Sequence, residues 1–411
     1  MRKLAFVPLA LAVVCLAAQA QTLTPAWVEV GDGGQAIARV IVTAPDRCPT
    51  IIADSATLVM APRVPVPRGF QPACEALIPR GTKSARLGEQ ALALPHDDPS
   101  RIAVLGDTGC RIKGKEIQDC NTDWPFEQVA KAAAAAQPQL VIHVGDYLYR
   151  EDACPAEEAK KCAGSPHGDN WDTWNADFFK PAAKLLTAAP WAFSRGNHED
   201  CTRAWRGWFY YLDSGGWSGA VCNAMPAPVT VKLGNFQLVL FDSSAVKGAA
   251  DPAQVRAYAA ELRMLDVSNA WLVDHHPFWA LKPGKDGAPP LSETDTLREA
   301  WDQASPKGFA MVLSGHTHVF ELLGYGPQRP LQIVAGDAGT SLDRGAPHQV
   351  NGAEIYGMTV DQAEDREVFG YTLLTKLGLN KSGDVWTLSL KDPTTKELLN
   401  CSIQGGKARC K

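Results

Sequence analysis

RIAVLGDTG, residues 101–109, runs five apolar or β-prone positions into a glycine, an aspartate and a second glycine. The same grammar recurs along the chain. LVIHV precedes GDYLY (residues 145–149), NAWLV precedes DHHP (274–277), and GFAMVL precedes GHTH (315–318). A fifth string, GNHE, occupies residues 196–199. Runs of this kind read as strands, and the polar strings then fall at strand ends. Asp, Asn, His and Tyr side chains would thereby converge on one edge of a sheet. Oxygen and imidazole donors suit borderline or hard cations such as iron, zinc and manganese. A lone HxH is weak evidence, and a single His on an apolar strand is more often a satisfied core residue. Five such strings in series are specific.

These strings, spanning about residues 101–342, resemble the calcineurin-like metallophosphoesterases, and most sharply the purple acid phosphatase branch. Most of that superfamily opens with Asp-x-His, whose His binds the first metal. Here the third position is Gly109. The second string then supplies a tyrosine, Tyr149, three residues after Asp146. In purple acid phosphatases a Tyr at that place binds ferric iron where the His is missing, and GHTHVFE is close to their GHxHxYE.

The resemblance implies a four-layer α/β/β/α sandwich. It implies a first metal held by Asp107, Asp146, Tyr149 and His318, and a second held by Asp146, Asn197, His275 and His316, with Asp146 bridging. His275 is preferred to His276 because the family reads His-x-Pro at that point. The implied cofactors are Fe(III) at the first site and Zn, Mn or Fe(II) at the second. The implied reaction is hydrolysis of a small phosphate monoester by a metal-activated hydroxide. A phosphodiesterase or nucleotidase on the same site is the rival enzyme, and a non-catalytic binding protein is the rival from another class. Phosphate leaving groups need a proton, and His198 is the first candidate for the general acid, with His276 the second. Both also suit a supporting role beside the ligands. His143, in the strand before Asp146, reads as buried or supporting a ligand, His96, His167 and His348 have no motif context, and Asp200, Asp242 and Asp337 read as turn or capping residues. Arg150 suits either a phosphate contact or a surface ion pair.

Composition bounds the remainder. A net charge of −5 with pI near 6.0 gives no basic footprint for nucleic acid. Arg2 and Lys3 precede an apolar run over residues 4–18, and Ala18-Gln19-Ala20 offers a small-x-small cleavage site. Residues 1–20 therefore read as a signal peptide rather than a membrane anchor, and the protein as secreted or periplasmic. Ten cysteines follow Cys15 in five local couples, 48/74, 110/120, 154/162, 201/222 and 401/410. An even count behind a leader reads as disulfides, and short loops favour sequential pairing without fixing it. None has the CxxC spacing of a thiolate metal site.

Residues 21–95 read as a small β-rich N-terminal module, and 96–411 as the catalytic domain. Helices are expected over 126–136, 253–265 and 294–304, the first ending before Pro138. The Trp-rich stretch between GDYLY and GNHE reads as packing rather than cleft lining. Strands LQIVAG, FGYTLLTKL and DVWTLSL are expected to complete the second sheet. Nothing in the pattern fixes an oligomeric state.

Overall fold

A computed structural model of the chain describes residues 21–219, 221–282, 291–292, 294–345, 350–355, 357–380 and 383–411. The leader at 1–20 and His348 lie outside the described residues.

The strand-forming runs build two large sheets. At the centre of the first, Arg101–Leu105 pairs in parallel with Leu140–His143, which pairs in parallel with Trp191–Phe193. At the centre of the second, Phe236–Leu240, Ala270–Val273, Phe309–Ser314 and Leu331–Ala335 are parallel neighbours. Successive side chains on a strand face opposite ways. Ile102, Val104, Leu140 and Ile142 therefore turn into a core shared with Leu238, Trp271, Val273 and Leu313 of the second sheet. Ala103, Leu105 and Val141 turn the other way, onto the helices Phe126–Ala135 and Lys180–Leu186. Leu272 and Val312 likewise face Val255, Tyr258, Leu262 and Leu297 of the helices Pro252–Met264 and Asp295–Ala304. Helix, sheet, sheet, helix is the four-layer α/β/β/α arrangement.

The β-rich N-terminal segment is present, and its strands join the first sheet. Trp27–Val30 pairs in parallel with Trp191–Phe193 through Glu29 opposite Trp191, and Ala36–Ile41 and Ala73–Ile78 follow it outward. A separate four-stranded sheet caps this end.

The C-terminal strands require a correction. Leu331–Ala335 lies in the second sheet, but Tyr371–Asn380 pairs antiparallel with Arg101–Leu105, Thr372 opposite Val104, and Gly383–Lys391 follows it. Both belong to the first sheet. Tyr371 and Leu373 face one core and Leu374 the other, whereas Trp386, Leu388 and Leu390 alternate with half-exposed positions; an apolar strand pattern of either kind carries no information on which sheet supplies the neighbour.

All ten described cysteines form the five sequential disulfides. Trp174 and Trp191 are fully buried in the first-sheet core, with Trp171 packed against it. No helix among the described residues is long and apolar enough to cross a membrane.

Candidate metal centre

Every polar string lies just past the carboxyl end of a parallel strand, where open α/β sheets place their ligands. Asp107 follows Arg101–Leu105, Asp146 follows Leu140–His143, and Asn197 follows Trp191–Phe193. His275 follows Ala270–Val273, and His316 and His318 follow Phe309–Ser314. The chain must turn sharply there. Asp107, Asp146 and His316 all take left-handed backbone, with φ of 56°, 57° and 70°, a conformation few non-glycine residues adopt. Gly145 has φ of 103°, and a Cβ on it would lie 2.5 Å from His275 Nδ1, so only glycine passes between the sheets at that point.

The two sheets are tied together through these residues. His316 N–H donates to Asp107 Oδ2 at 3.0 Å, and His275 Nδ1 lies 2.9 Å from Val144 O. A carbonyl only accepts, so Nδ1 carries the proton and Nε2 points onward. Nε2 meets Asn197 Oδ1 at 3.0 Å and Asp146 Oδ2 at 3.2 Å. Asn197 Oδ1 also lies 3.0 Å from His316 Nδ1. On the other side, the Tyr149 phenol oxygen lies 2.8 Å from Asp107 Oδ1, 2.9 Å from Asp146 Oδ2 and 3.0 Å from His318 Nε2. Donor atoms of Asp146, His275 and His316 lie within 4.8 Å of one another. The structure thus brings together all seven residues nominated as metal ligands, as two groups that share Asp146.

The donor set fits cations. A phenol has one proton, so it can donate to only one of the two carboxylate oxygens it touches, and lone pairs are left facing each other at the other contact. Two buried carboxylates compound the deficit. Burial opposes a charged His275 ring, yet Asp146 and Asp107 outweigh it and push that ring up to about 10. Burial, reinforced by Asp146 and only partly relieved by His275, holds the Asp107 carboxyl well above the usual range. At Asp146 burial acts the same way but His275 and His198 outweigh it, and the carboxyl stays well below. Burial, with Arg111 assisting, pushes His318 down to about 4 and keeps its nitrogen lone pair available. The pocket demands positive charge and presents oxygen and nitrogen lone pairs to it.

His198 N–H donates to Asp146 Oδ1 at 2.8 Å, its Nδ1 lies 2.7 Å from Glu151 Oε1, and its ring lies 4.0 Å from that of Tyr149. His276 packs 4.1 Å from the His316 ring, with Nδ1 2.8 Å from Ser243 O. His143 is buried and stacked on Tyr147 at 3.9 Å, and it supports the first two loops through Thr108 Oγ1 and Gly145 N. His96 and His167 are exposed. Asp200 accepts from Thr202 in a turn, and Asp242 pairs with Arg195 at 2.7 Å. Asp337 is fully buried and neither carboxylate oxygen finds a partner among the described residues, which a turn or cap would not leave.

Arg150 neither faces the site nor lies on the surface. It is buried, with Nε on Asp177 Oδ1 at 2.6 Å and Nη1 on Ser165 Oγ at 2.7 Å. Asp177 was not apparent in the sequence. Its carboxylate also accepts from the backbone N–H groups of Cys110, Tyr149 and Arg150, fixing the loop that aims the phenol. Glu199 does the same one step earlier, accepting from Tyr147 N and Leu148 N at 2.9 and 3.0 Å.

Gly109 leaves no room for a side chain at its position. A Cβ there would lie 2.6 Å from Tyr147 O, 2.8 Å from Tyr149 N and 2.9 Å from Asp177 Oδ2. The tyrosine loop occupies the space a side chain would need. Gly109→Ala is expected to destabilise the fold by ~1–3 kcal/mol through overpacking, read by urea unfolding. An unchanged midpoint would show that the loop yields freely.

With this geometry in hand, a profile of the calcineurin-like phosphoesterases matches residues 100–320. The chain belongs to that family. This calcineurin-like phosphoesterase is similar in structure to a purple acid phosphatase from yellow lupin (Lupinus luteus) seeds. The TM-score is 0.56 at 12% identity, covering 92% of this chain and 74% of the lupin one. It is also similar to PhoD, with a TM-score of 0.55 at 10% identity, covering 94% of this chain and 91% of that one. At such identities these are likenesses of fold. No curated protein sequence matches the chain. The family is dimetal-dependent and acts on phosphate esters.

Proposed function

We propose that this phosphoesterase is an exported, two-metal phosphomonoesterase of the purple acid phosphatase type. The observation that carries the reading is the paired exchange at one metal position, a glycine where no side chain fits and a phenol aimed at the same point. Asp107, Asp146, Tyr149 and His318 would hold the first ion, and Asp146, Asn197, His275 and His316 the second. When bound, such a pair supplies Lewis-acid activation of water and neutralises phosphate charge. A phenolate at Tyr149 favours Fe(III) at the first position, with Zn, Mn or Fe(II) at the second. Residues 96–411 form the catalytic unit in this reading, with 21–95 as its β-rich flank.

The chain's own groups do the rest. Asp177 and Glu199 hold the Tyr149 loop by its backbone, so the phenol arrives without reorganisation. Glu151 and Leu148 O face Nδ1 of His198, which keeps the proton there and leaves Nε2 on the side of Asp146, 3.8 Å from Oδ2. From that side His198, acting as the imidazolium with its second proton on Nε2, is placed to hand that proton to a departing alkoxide and be left neutral with Nδ1–H. Five disulfides support an oxidising compartment, secreted or periplasmic.

Oxidised protein is expected to show a visible phenolate-to-iron absorption band, and Tyr149→Phe to bleach it while the fold survives. Turnover of an aryl phosphate alongside its diester tests the reaction class. A colourless, fully active protein holding only zinc or manganese overturns the ferric assignment, and activity on the diester alone overturns the monoesterase one.

A further inference from the structure

Directly after Gly109, Cys110 pairs with Cys120 and closes a short arm over the metal centre. Within the arm Ile112–Lys113 and Glu116–Ile117 form a two-stranded hairpin. Its base is bound at several points. Ile112 N–H donates to Tyr149 O at 3.0 Å, Arg111 N–H donates to Gln118 Oε1 at 3.1 Å, and Gln118 N–H returns to Arg111 O at 2.9 Å. Gln118 Nε2 then donates to Gly339 O at 3.0 Å, across the site from the tyrosine loop. The Arg111 backbone is therefore fixed relative to the candidate ligands.

Its side chain lies over them. The guanidinium carbon is 5.0 Å from the centre of the Tyr149 ring. Nη1 is engaged by Glu116 Oε2 at 2.5 Å. The other edge is poorly served. Nη2 has a 3.5 Å approach to His318 Nε2, and Nε is buried without a hydrogen-bond partner. The side chain as a whole keeps 17% exposure, while Nε itself is covered. Nε and Nη2 form one side of a planar fork whose spacing matches two oxygens of a phosphoryl group.

Resting on the metallophosphatase reading of the site, we propose that Arg111 binds two non-bridging oxygens of the substrate phosphoryl group through its Nε–Nη2 edge. The contact selects monoesters over diesters. A monoester carries three non-bridging oxygens and up to two charges, whereas a diester carries two oxygens and one charge. The monoester more readily has a pair of oxygens left for the arginine. Glu116 acts as a positioning residue, holding the opposite corner of the fork.

The test uses metal-loaded protein with Arg111→Gln, which keeps most of the stem over Tyr149 but removes the charge and the fork. Arg111→Lys keeps the charge alone. Inorganic phosphate is titrated calorimetrically into each, metal content is measured, and KM and kcat are taken for an aryl phosphate and its diester. Arg111→Gln is expected to weaken phosphate binding ~10–100-fold with metals retained. The lysine variant should fall between it and the wild type. Monoester KM should rise in parallel while diester KM moves less than ~3-fold. Wild-type phosphate affinity in metal-replete Arg111→Gln overturns the inference, and equal KM increases for the two esters overturn the selectivity. Wild-type protein that binds phosphate but turns over neither ester refutes the enzymatic reading instead, and the calorimetric comparison still decides the role of Arg111.

Discussion

Asp146→Asn is expected to strip the centre of most of its metal and to lower turnover by roughly 10³-fold or more, the scale of several kcal/mol of lost Lewis-acid stabilisation. Asp146 is the residue common to both groups of donors. Its Oδ2 faces Tyr149 Oη at 2.9 Å and His275 Nε2 at 3.2 Å, while Oδ1 is taken by His198 N–H at 2.8 Å. An amide removes the charge and half of the lone pairs at the point where both ions would need them. The backbone should be unaffected, because Asn tolerates the left-handed φ of 57° found there. Asn197→Ala touches only the His275 and His316 side and should mainly weaken the second ion. Metal analysis beside kinetics reads both. Near-normal turnover with two ions in Asp146→Asn would show that the ligand groups are drawn wrongly.

His198→Ala should keep both metals and lose roughly 10²–10⁴ in turnover, the usual worth of a positioned general acid. The loss should be larger for alkyl phosphates than for nitrophenyl phosphate, whose leaving group departs without a proton. His276→Ala is the comparison, because its Nδ1 is occupied by Ser243 O and its ring leans on His316. That variant should slow both substrate types alike, through His316. A leaving-group dependence in His276→Ala and none in His198→Ala would exchange the two roles. Its absence in both would move the acid to another group.

Donor-bearing strings, four of them after β-prone runs, are legible in the sequence, and the family resemblance they carry implies Asp107, Asp146, Asn197 and the histidines as ligands. The pattern is readable because strand length and ligand type are local properties. Asp177, Glu199 and Arg111 were not readable in the same way. Asp177 acts on backbone N–H groups of residues 110, 149 and 150, which reach it only once the loops have formed. No spacing rule marks a carboxylate whose partners are main-chain amides. Glu199 stood in view within GNHE, yet its partners on the second loop were not deducible. Arg111 looked like any charge in a loop until the hairpin folded it over Tyr149. The C-terminal strands failed for a related reason. The apolar run in residues 371–374 reports burial on both faces, while the choice of Arg101–Leu105 as neighbour depends on which sheet edge stood open.

The parallel pairing of Glu29 with Trp191 has a kinetic consequence. The first strand made during synthesis cannot find its inner neighbour until Trp191–Phe193 exists, and Arg101–Leu105 waits for Tyr371–Asn380 on its other flank. The Cys48–Cys74, Cys110–Cys120 and Cys154–Cys162 loops, the widest spanning 26 residues, lie ahead of both events in the chain. Contacts this distant in sequence make folding slow and leave β-edges open in the interim. Such a chain is expected to depend on protection from aggregation between release of its first strands and arrival of its last.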